Sequence, residues 1–306
     1  MRPQPALPGV LVLLVACGGE AEQRGTGAGE AGDPPAAEQA PARVYSIEGL
    51  SGPEAVRYDA DQDVWFVSNF GPGSEDRDAD GFLSRVDAGS GAMVALRFAV
   101  GTAEHPLHMP RGMALKADTL WVADVDGIHG FDRQSGAHLA FVDFTSHAPG
   151  FLNDIAVTPD GTLYVTDTGR SALYRVDGGR AVEVWQDPAA GAPNGITWDG
   201  ERRTFVLAPW EPGTPVHLWA PGEAAPVALG EPTPGRLDGV ERTGVGLLFA
   251  SQTDSTVQIL GADGRRTVLM RVAGAPADLG VDTRRNRLAV PFIGLDRVDI
   301  WALPDG

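Results

Sequence analysis

The sequence repeats one unit six times, and this repeat limits the folds that the chain can adopt. In the clearest copy, residues 152–167 comprise a short strand, a Pro-Asp-Gly turn and a second strand with alternating apolar residues. The copies begin 39 to 57 positions apart, at Pro53, Pro110, Leu152, Pro193, Leu237 and Pro276. A period of about 40 residues built from short strands predicts a β-propeller with four strands in each blade. A β-sandwich would not repeat one unit six times, and a β-solenoid would use shorter repeats.

The two ends of the repeat region predict how the ring closes. The sixth copy contains only three predicted strands, at 279–281, 287–290 and 297–301, whereas a spare strand at 43–47 precedes the first copy. We expect this N-terminal strand to complete the last blade, because closure removes two open sheet edges. No segment has a sustained helical period. The predicted fold is therefore all-β, a six-bladed propeller over residues 42–306.

The N-terminal residues 1–17 have the pattern of a secretory leader. Arg2 precedes an apolar run from Leu7 to Ala16, which is too short to span a bilayer and ends at Cys17. Residues 14–17, Leu-Val-Ala-Cys, resemble the bacterial lipobox, and Cys17 is the only cysteine of the chain. We expect Cys17 to be lipidated and to anchor the protein to a bacterial membrane in the cell envelope. The alternative is a plain signal peptide with cleavage nearby.

Composition sets the remaining limits on organisation and partners. Residues 18–41 are rich in Gly, Ala, Glu, Gln and Pro without apolar periodicity, which predicts a flexible tether. The formal net charge of −17 argues against nucleic acid as a partner, because phosphates require a basic surface. We expect a monomer whose membrane contact is limited to the lipid anchor and whose partner is a small molecule.

One position of the repeat carries side chains suited to a metal ion. Aligning the copies on their shared turn places six residues at this position: Glu54, Arg111, Asn153, Asn194, Asp238 and Ala277. The position opens the innermost strand of each blade, so its side chains should surround one mouth of the central channel. Four of them offer carboxylate or amide oxygens, which Ca²⁺ prefers, although another divalent ion would also fit. Taken singly, an Asx residue beside glycine also forms turns through its own backbone.

These motifs resemble the senescence-marker-protein/gluconolactonase/luciferin-regenerating-enzyme family of six-bladed calcium propellers. The resemblance covers about residues 43–303 and is carried by Pro53-Glu54, Leu152-Asn153-Asp154, Pro193-Asn194-Gly195 and Leu237-Asp238-Gly239. It implies that Glu54, Asn153, Asn194 and Asp238 hold a divalent ion in the central channel. It also implies that Asp238 doubles as a general base and that Asn153 contacts the substrate.

The chain departs from the family pattern in two places. Phe151 stands where sugar lactonases of the family often have arginine, two positions before the asparagine of the third blade. Residues 56–59, Val-Arg-Tyr-Asp, replace a Trp-rich segment. We expect Arg111, on the neighbouring blade, to supply the positive charge that position 151 lacks.

The predicted function is a calcium-dependent hydrolase of a lactone or related ester. Asp238 would accept a proton from the attacking water, and Arg111, or a loop histidine such as His108, would stabilise the oxyanion. Asp124 and Asp167 end second strands, where we expect them to accept backbone hydrogen bonds. No Gly-x-Ser-x-Gly, phosphate-loop or His-Glu-x-x-His motif occurs in the sequence. The alternative is a non-catalytic envelope propeller that binds a ligand or a protein partner, since propellers host both roles.

Overall fold

The computed structural model describes residues 40–73, 77–261 and 264–304, and these residues form 24 β-strands. The predicted leader with Cys17 lies outside the described residues, as does the predicted tether up to residue 39. The strands pair into six antiparallel four-stranded sheets. Contacts between the first strands of neighbouring sheets continue around the series and return from the sixth sheet to the first. The prediction of a six-bladed propeller is therefore confirmed.

The first three blades follow one another in the sequence. Blade 1 consists of β2 (Pro53–Asp59), β3 (Val64–Asn69), β4 (Phe82–Asp87) and β5 (Met93–Val100). Blade 2 consists of β6 (Met113–Lys116), β7 (Thr119–Ala123), β8 (Gly127–Asp132) and β9 (His138–Asp143). Blade 3 consists of β10 (Leu152–Val157), β11 (Leu163–Asp167), β12 (Ala172–Asp177) and β13 (Arg180–Gln186).

The last three blades have the same arrangement, and the sixth includes the N-terminal strand. Blade 4 consists of β14 (Pro193–Asp199), β15 (Thr204–Pro209), β16 (Val216–Trp219) and β17 (Val227–Leu229). Blade 5 consists of β18 (Leu237–Thr243), β19 (Gly246–Ser251), β20 (Thr256–Leu260) and β21 (Arg266–Arg271). Blade 6 consists of β22 (Gly280–Asp282), β23 (Arg287–Phe292), β24 (Arg297–Ala302) and β1 (Ala42–Ile47).

The N-terminal strand β1 closes the ring, as predicted from the spare strand. It pairs antiparallel with β24, and the Ser46 hydroxyl donates to Asp299 at 2.6 Å. The same strand also contacts blade 1, because the Tyr45 hydroxyl of β1 donates to the carbonyl of Ala88 at 2.6 Å. The Arg285 guanidinium of blade 6 pairs with Asp63 of blade 1. These contacts join the first and last blades of the chain.

Aspartates at the ends of the first strands stabilise the hairpin turns of several blades. Asp59 accepts the backbone N–H groups of residues 61 and 62, at 3.0 and 3.2 Å. Asp199 and Asp282 accept equivalent bonds in blades 4 and 6. Such Asx turns satisfy the backbone where the chain reverses. They keep the first two strands of a blade in a fixed register.

The hydrophobic core consists of six clusters, each between two neighbouring blades. The cluster between blades 3 and 4 contains Trp185 and Trp219, whose ring centroids lie 6.5 Å apart. The cluster at the closure contains Trp65 of blade 1 and Val298 of blade 6. Because each blade packs on both neighbours, the inner strands and the channel between them are held in place.

Helical structure is limited to single 3-10 turns in the described part of the chain. The four turns are Thr145–His147, Thr168–Arg170, Pro188–Ala190 and Ile293–Leu295. Among the described residues, none of these helices has the length and apolarity needed to cross a bilayer.

Candidate functional site

Four innermost strands contain the same backbone irregularity at the same place. In blade 1 the register shifts between Pro53 and Val56, so that two residues of β2 oppose one residue of β3. Corresponding shifts occur between Leu152 and Ile155, Pro193 and Ile196, and Leu237 and Val240. A β-bulge of this kind changes the direction of the side chains within it. The bulges contain the four predicted ligands Glu54, Asn153, Asn194 and Asp238.

Neighbouring blades hold the main chain at three of these bulges. The carbonyl of Glu54 accepts the Asp278 N–H at 2.9 Å, and that of Asn153 accepts the Gly112 N–H at 2.9 Å. The carbonyl of Asn194 accepts the hydroxyl of Thr166 at 2.6 Å. The bulges are therefore fixed from two sides, by their own sheet and by the next blade.

One cavity of about 480 Å³ is lined by all four predicted ligands. Each residue is only 2–3% exposed, and each has one side-chain oxygen that is buried without a hydrogen-bond partner among the described residues. These oxygens are Glu54 Oε2, Asn153 Oδ1, Asn194 Oδ1 and Asp238 Oδ1. Leaving a buried polar atom unpaired costs about 1–3 kcal/mol. An Asx residue that only formed a local turn would use its oxygen to accept a backbone N–H.

The two carboxylates of the cavity have raised pKa values. Burial raises the pKa of Glu54 well above its usual range, and the neighbouring Asp238 adds to the effect, whereas Arg111 opposes it. Burial also raises the pKa of Asp238 to about 7, against the effect of a hydrogen bond from the Gln252 amide. Both shifts mean that the ionised carboxylates are unfavourable in the cavity, because burial removes them from water and no cation among the described residues offsets their charge fully. A cation bound there would offset that charge.

A second group of buried charges surrounds Arg57 of β2. Its guanidinium pairs with Glu241, lies 3.6 Å from Asp278 and lies 3.9 Å from Asp154. Burial and the neighbouring Asp154 raise the pKa of Asp278 well above its usual range. Sequence reasoning missed this group. The sequence offers one indication of this group: Asp154 and Asp278 directly follow the ring positions 153 and 277.

A second repeat position supplies most of the cavity wall. In five blades, the residue directly after the second strand lines the cavity: Phe70, Thr168, Trp210, Gln252 and Ile293. Met109 and Phe151 contribute from the segments before β6 and β10, and Gly169 and Ala192 also line the cavity. Sequence analysis identified only Phe151 of these residues. Comparing the residues that directly follow the second strand of each copy would have identified the five residues at the second repeat position.

Asp124 and Asp167 fix the two segments that carry Met109 and Phe151. Asp124 accepts the N–H groups of His108 and Met109, at 2.8 and 2.7 Å. Asp167 accepts those of Gly150 and Phe151, at 3.0 and 2.8 Å. Both carboxylates therefore accept backbone hydrogen bonds, as expected from the sequence.

Arg111 is buried beside the site, but it does not line the cavity. Its guanidinium stacks on the ring of Phe151, 3.8 Å from the centroid, and donates to the Leu152 carbonyl at 3.1 Å. Arg111 lowers the pKa of Glu54, so its charge acts on the ring of ligands. Its predicted contact with an oxyanion stays a prediction.

The loop histidines lie in a different place. His105 and His108 line a separate cavity of about 150 Å³, together with Asp124 and His129. His108 accepts the backbone N–H of Ala79 at 3.1 Å. The structure therefore does not bring His108 to the cavity that contains the four orphaned oxygens.

Comparison with known proteins agrees with this fold. The profile of the SMP-30/gluconolactonase/LRE-like region matches residues 53–211, just over half of the chain. No curated protein matches the chain. Among solved structures, a candidate gluconolactonase has 16% sequence identity and a TM-score of 0.65, with 87% of this chain and 92% of that chain covered.

Two further solved structures share the fold. Regucalcin from Agrobacterium tumefaciens, described as a calcium-binding protein, has 16% identity and a TM-score of 0.63, with 86% of this chain and 95% of that chain covered. Virginiamycin B lyase from Staphylococcus aureus, solved with quinupristin, has 14% identity and a TM-score of 0.58, with coverages of 85% and 99%. The matching profile and the propeller architecture establish that the chain belongs to the SMP-30/gluconolactonase/LRE-like family.

Proposed function

We propose that the protein is a calcium-dependent hydrolase of a lactone or a related ester. The observation that carries this proposal is the set of four buried, unpaired oxygens at one cavity: Glu54 Oε2, Asn153 Oδ1, Asn194 Oδ1 and Asp238 Oδ1. Membership of a family named for gluconolactonase supports the reaction class. The likeness to a regucalcin described as calcium-binding supports the metal.

The donor set fits a hard divalent cation. Carboxylate and amide oxygens are the ligands of Ca²⁺, and two carboxylates neutralise a divalent charge. Within the described ranges, no three His, Cys, Asp or Glu side chains form a metal site by themselves. The site would therefore depend on Asn153 and Asn194 as well as on the carboxylates Glu54 and Asp238. A divalent ion held there would supply Lewis acidity toward a carbonyl oxygen.

Asp238 is the residue that we assign as general base. Gln252 donates to Asp238 Oδ2 and fixes the orientation of the carboxylate. Because Oδ1 would bind the ion, the proton would go to Oδ2, which keeps a lone pair beyond the one that Gln252 occupies. A base must reach the proton of an attacking water at hydrogen-bond distance. Asn153 would bind the substrate beside it, and Arg111 would favour the ionised form of Glu54, against the larger effect of burial.

The location of the enzyme is a separate part of the proposal and rests on the sequence alone. We propose that lipidation of Cys17 anchors the protein to a bacterial membrane in the cell envelope. The propeller would then act on a small-molecule substrate as a monomer.

Calcium titration by calorimetry on the full-length protein in detergent tests the site. The wild type is compared with Asn194→Ala and Asp238→Asn, and with Asp118→Asn as a control, because Asp118 is 78% exposed. We expect one ion to bind to the wild type and the control, and each site variant to weaken binding at least about 100-fold. Hydrolysis of δ-valerolactone should require the same ion. An intact fold without calcium binding would contradict the proposal and favour a non-catalytic propeller.

A further inference from the structure

We propose that the substrate carries an alkyl or aryl group and that the cavity selects against polyhydroxylated lactones. This inference rests on the proposed function, because it names the substrate class of the same site. The cavity has the size of a small-molecule site, at about 480 Å³. Its oxygens come from the ring of four ligands, whereas its wall comes from other residues with a different chemistry.

The wall is predominantly apolar, and its large apolar side chains come from five of the six blades. Its large apolar side chains are Phe70, Met109, Phe151, Trp210 and Ile293. None of them is fully buried, and Phe151 is 39% exposed. Water against such a concave apolar surface is displaced favourably by an apolar ligand, at roughly 25 cal/mol for each Å² buried. The wall therefore favours an apolar substituent beside the reacting carbonyl.

The polar wall side chains already have partners. The Thr168 hydroxyl donates to the Pro193 carbonyl at 2.9 Å, and the Gln252 amide donates to Asp238. Among the described lining residues, these are the two polar side chains outside the ring of four ligands. Outside the ring of four ligands, Gln252 Oε1, the Thr168 hydroxyl as an acceptor and the Trp210 indole N–H are left to bind a hydroxyl group. A sugar with several hydroxyl groups would therefore lose more hydrogen bonds to water than it could replace here, which is costly.

The wall is also held in place before any ligand binds. Asp124 fixes the Met109 N–H, and Asp167 fixes the Phe151 N–H. In blade 4, the ring centroid of Trp210 lies 5.3 Å from the guanidinium of Arg236. Pre-ordered walls lower the entropy cost of binding. The backbone that carries Met109 and Phe151 is thus fixed at the site.

Three δ-lactones separate the substrate class from the reaction class. δ-Valerolactone is the bare ring, δ-decanolactone adds an alkyl chain, and δ-gluconolactone adds hydroxyl groups to the same reacting ring. With calcium present, we expect kcat/KM for δ-decanolactone to exceed that for δ-gluconolactone by about 100-fold or more. Trp210→Ser and Ile293→Ser should each lower kcat/KM for δ-decanolactone about tenfold more than they lower it for δ-valerolactone. Val227→Ser, at a 63% exposed position on β17, is the matched control.

Binding of the unreactive lactam analogue of δ-decanolactone provides a readout that needs no turnover. We expect the wild type and Val227→Ser to bind it equally and Trp210→Ser to bind it about tenfold more weakly. If no lactone is hydrolysed but the lactam binds in this pattern, the proposed hydrolase is wrong and the apolar selectivity stands. If δ-gluconolactone is hydrolysed as well as δ-decanolactone, or if the lactam does not bind, the substrate class is overturned.

Discussion

The guanidinium of Arg111 lies over the ring of Phe151, with its Cζ 3.8 Å from the ring centroid. The two residues come from neighbouring blades, and each occupies a position that sequence analysis singled out for charge. Phe151 stands where family sugar lactonases often have arginine, and Arg111 was expected to replace that charge. In the structure Phe151 packs against Arg111, and the charge of Arg111 lowers the pKa of Glu54. The expected replacement of the charge stays a prediction.

This relationship predicts that an arginine at position 151 is unfavourable by itself. Phe151→Arg removes the cation–π contact and places a second guanidinium beside the first, so we expect a loss of about 1–2 kcal/mol in unfolding free energy. Phe151→Tyr keeps the ring and should be neutral. The double variant Arg111→Met with Phe151→Arg should recover stability, because one cation remains. Denaturant unfolding of the four proteins measures this, and a Phe151→Arg variant as stable as the wild type would contradict it.

Calcium and pH should act on stability in opposite directions through Asp238. Its pKa is about 7 in the folded protein and about 3.9 when unfolded. The metal-free folded state therefore takes up a proton between these values, and stability is lost as the pH rises from about 4 to 7. In EDTA at pH about 7.5, Asp238→Asn should raise the unfolding free energy by about 2 kcal/mol, and much less at pH about 5.

The comparison with Asp238→Asn is needed because other groups titrate in the same range. Burial lowers the pKa of His138 and of His217, which makes the protein more stable as the pH rises. These histidines are present in both proteins, so their effect cancels in the difference. Calcium should stabilise the wild type by mass action and leave Asp238→Asn unchanged. Thermal unfolding with EDTA and with calcium tests both parts, and equal calcium shifts for the two proteins would refute the prediction.

Much of the fold could be predicted because the repeat encodes it locally. The six copies, the Asx turns that follow residues such as Asp59, and the unpaired strand at 43–47 can all be read over short stretches of sequence. That these four residues lie together was predictable for the same reason, since Glu54, Asn153, Asn194 and Asp238 share one place in the unit. The structure adds the bulges that turn these side chains toward a common cavity. Alternating patterns do not show a bulge, because it depends on how two strands pair.

The parts that could not be predicted depend on contacts between distant positions. Arg57, Asp154 and Glu241 belong to blades 1, 3 and 5, and no local pattern places them together. The partner of Asp238 is Gln252, which follows the next strand and has the appearance of an ordinary loop residue. Sequence analysis likewise did not identify Trp210, although it directly follows the second strand of its blade, as Phe70 and Ile293 do. Only closure of the ring converts these separate positions into a site.

Arg57 should be essential for stability because it compensates several buried carboxylates. Arg57→Met would leave Asp154, Asp278 and Glu241 without their cation, and we expect a loss of about 3–5 kcal/mol. Adding Asp278→Asn to this variant should restore part of the stability by removing one of the charges. Arg43→Met is the control, because Arg43 is 51% exposed and its pair with Asp299 should contribute less than about 1 kcal/mol. Equal losses for the two arginine variants, measured by denaturant unfolding, would be inconsistent with this role.

Gly195 should control both stability and calcium affinity, because blades 4 and 5 meet at this residue. A Cβ atom at Gly195 would lie 2.4 Å from the Asp238 carbonyl oxygen and 2.9 Å from the Val240 nitrogen. Both contacts are with backbone, so Gly195→Ala must move one blade relative to the other. We expect a loss of about 1–3 kcal/mol from overpacking. Because Asn194 and Asp238 adjoin this contact, calcium affinity should also fall about tenfold or more.

Gly244→Ala is the matched substitution for Gly195→Ala. A Cβ atom at Gly244 would meet no other atom within 4 Å, so this variant should stay within about 0.5 kcal/mol of the wild type and bind calcium equally well. Denaturant unfolding and calorimetric titration of both variants separate the two expected effects. If Gly195→Ala loses stability but keeps its calcium affinity, the blade contact is structural and does not position Asn194 and Asp238. If it binds calcium and unfolds like Gly244→Ala, the close approach of the two blades is not needed for either property.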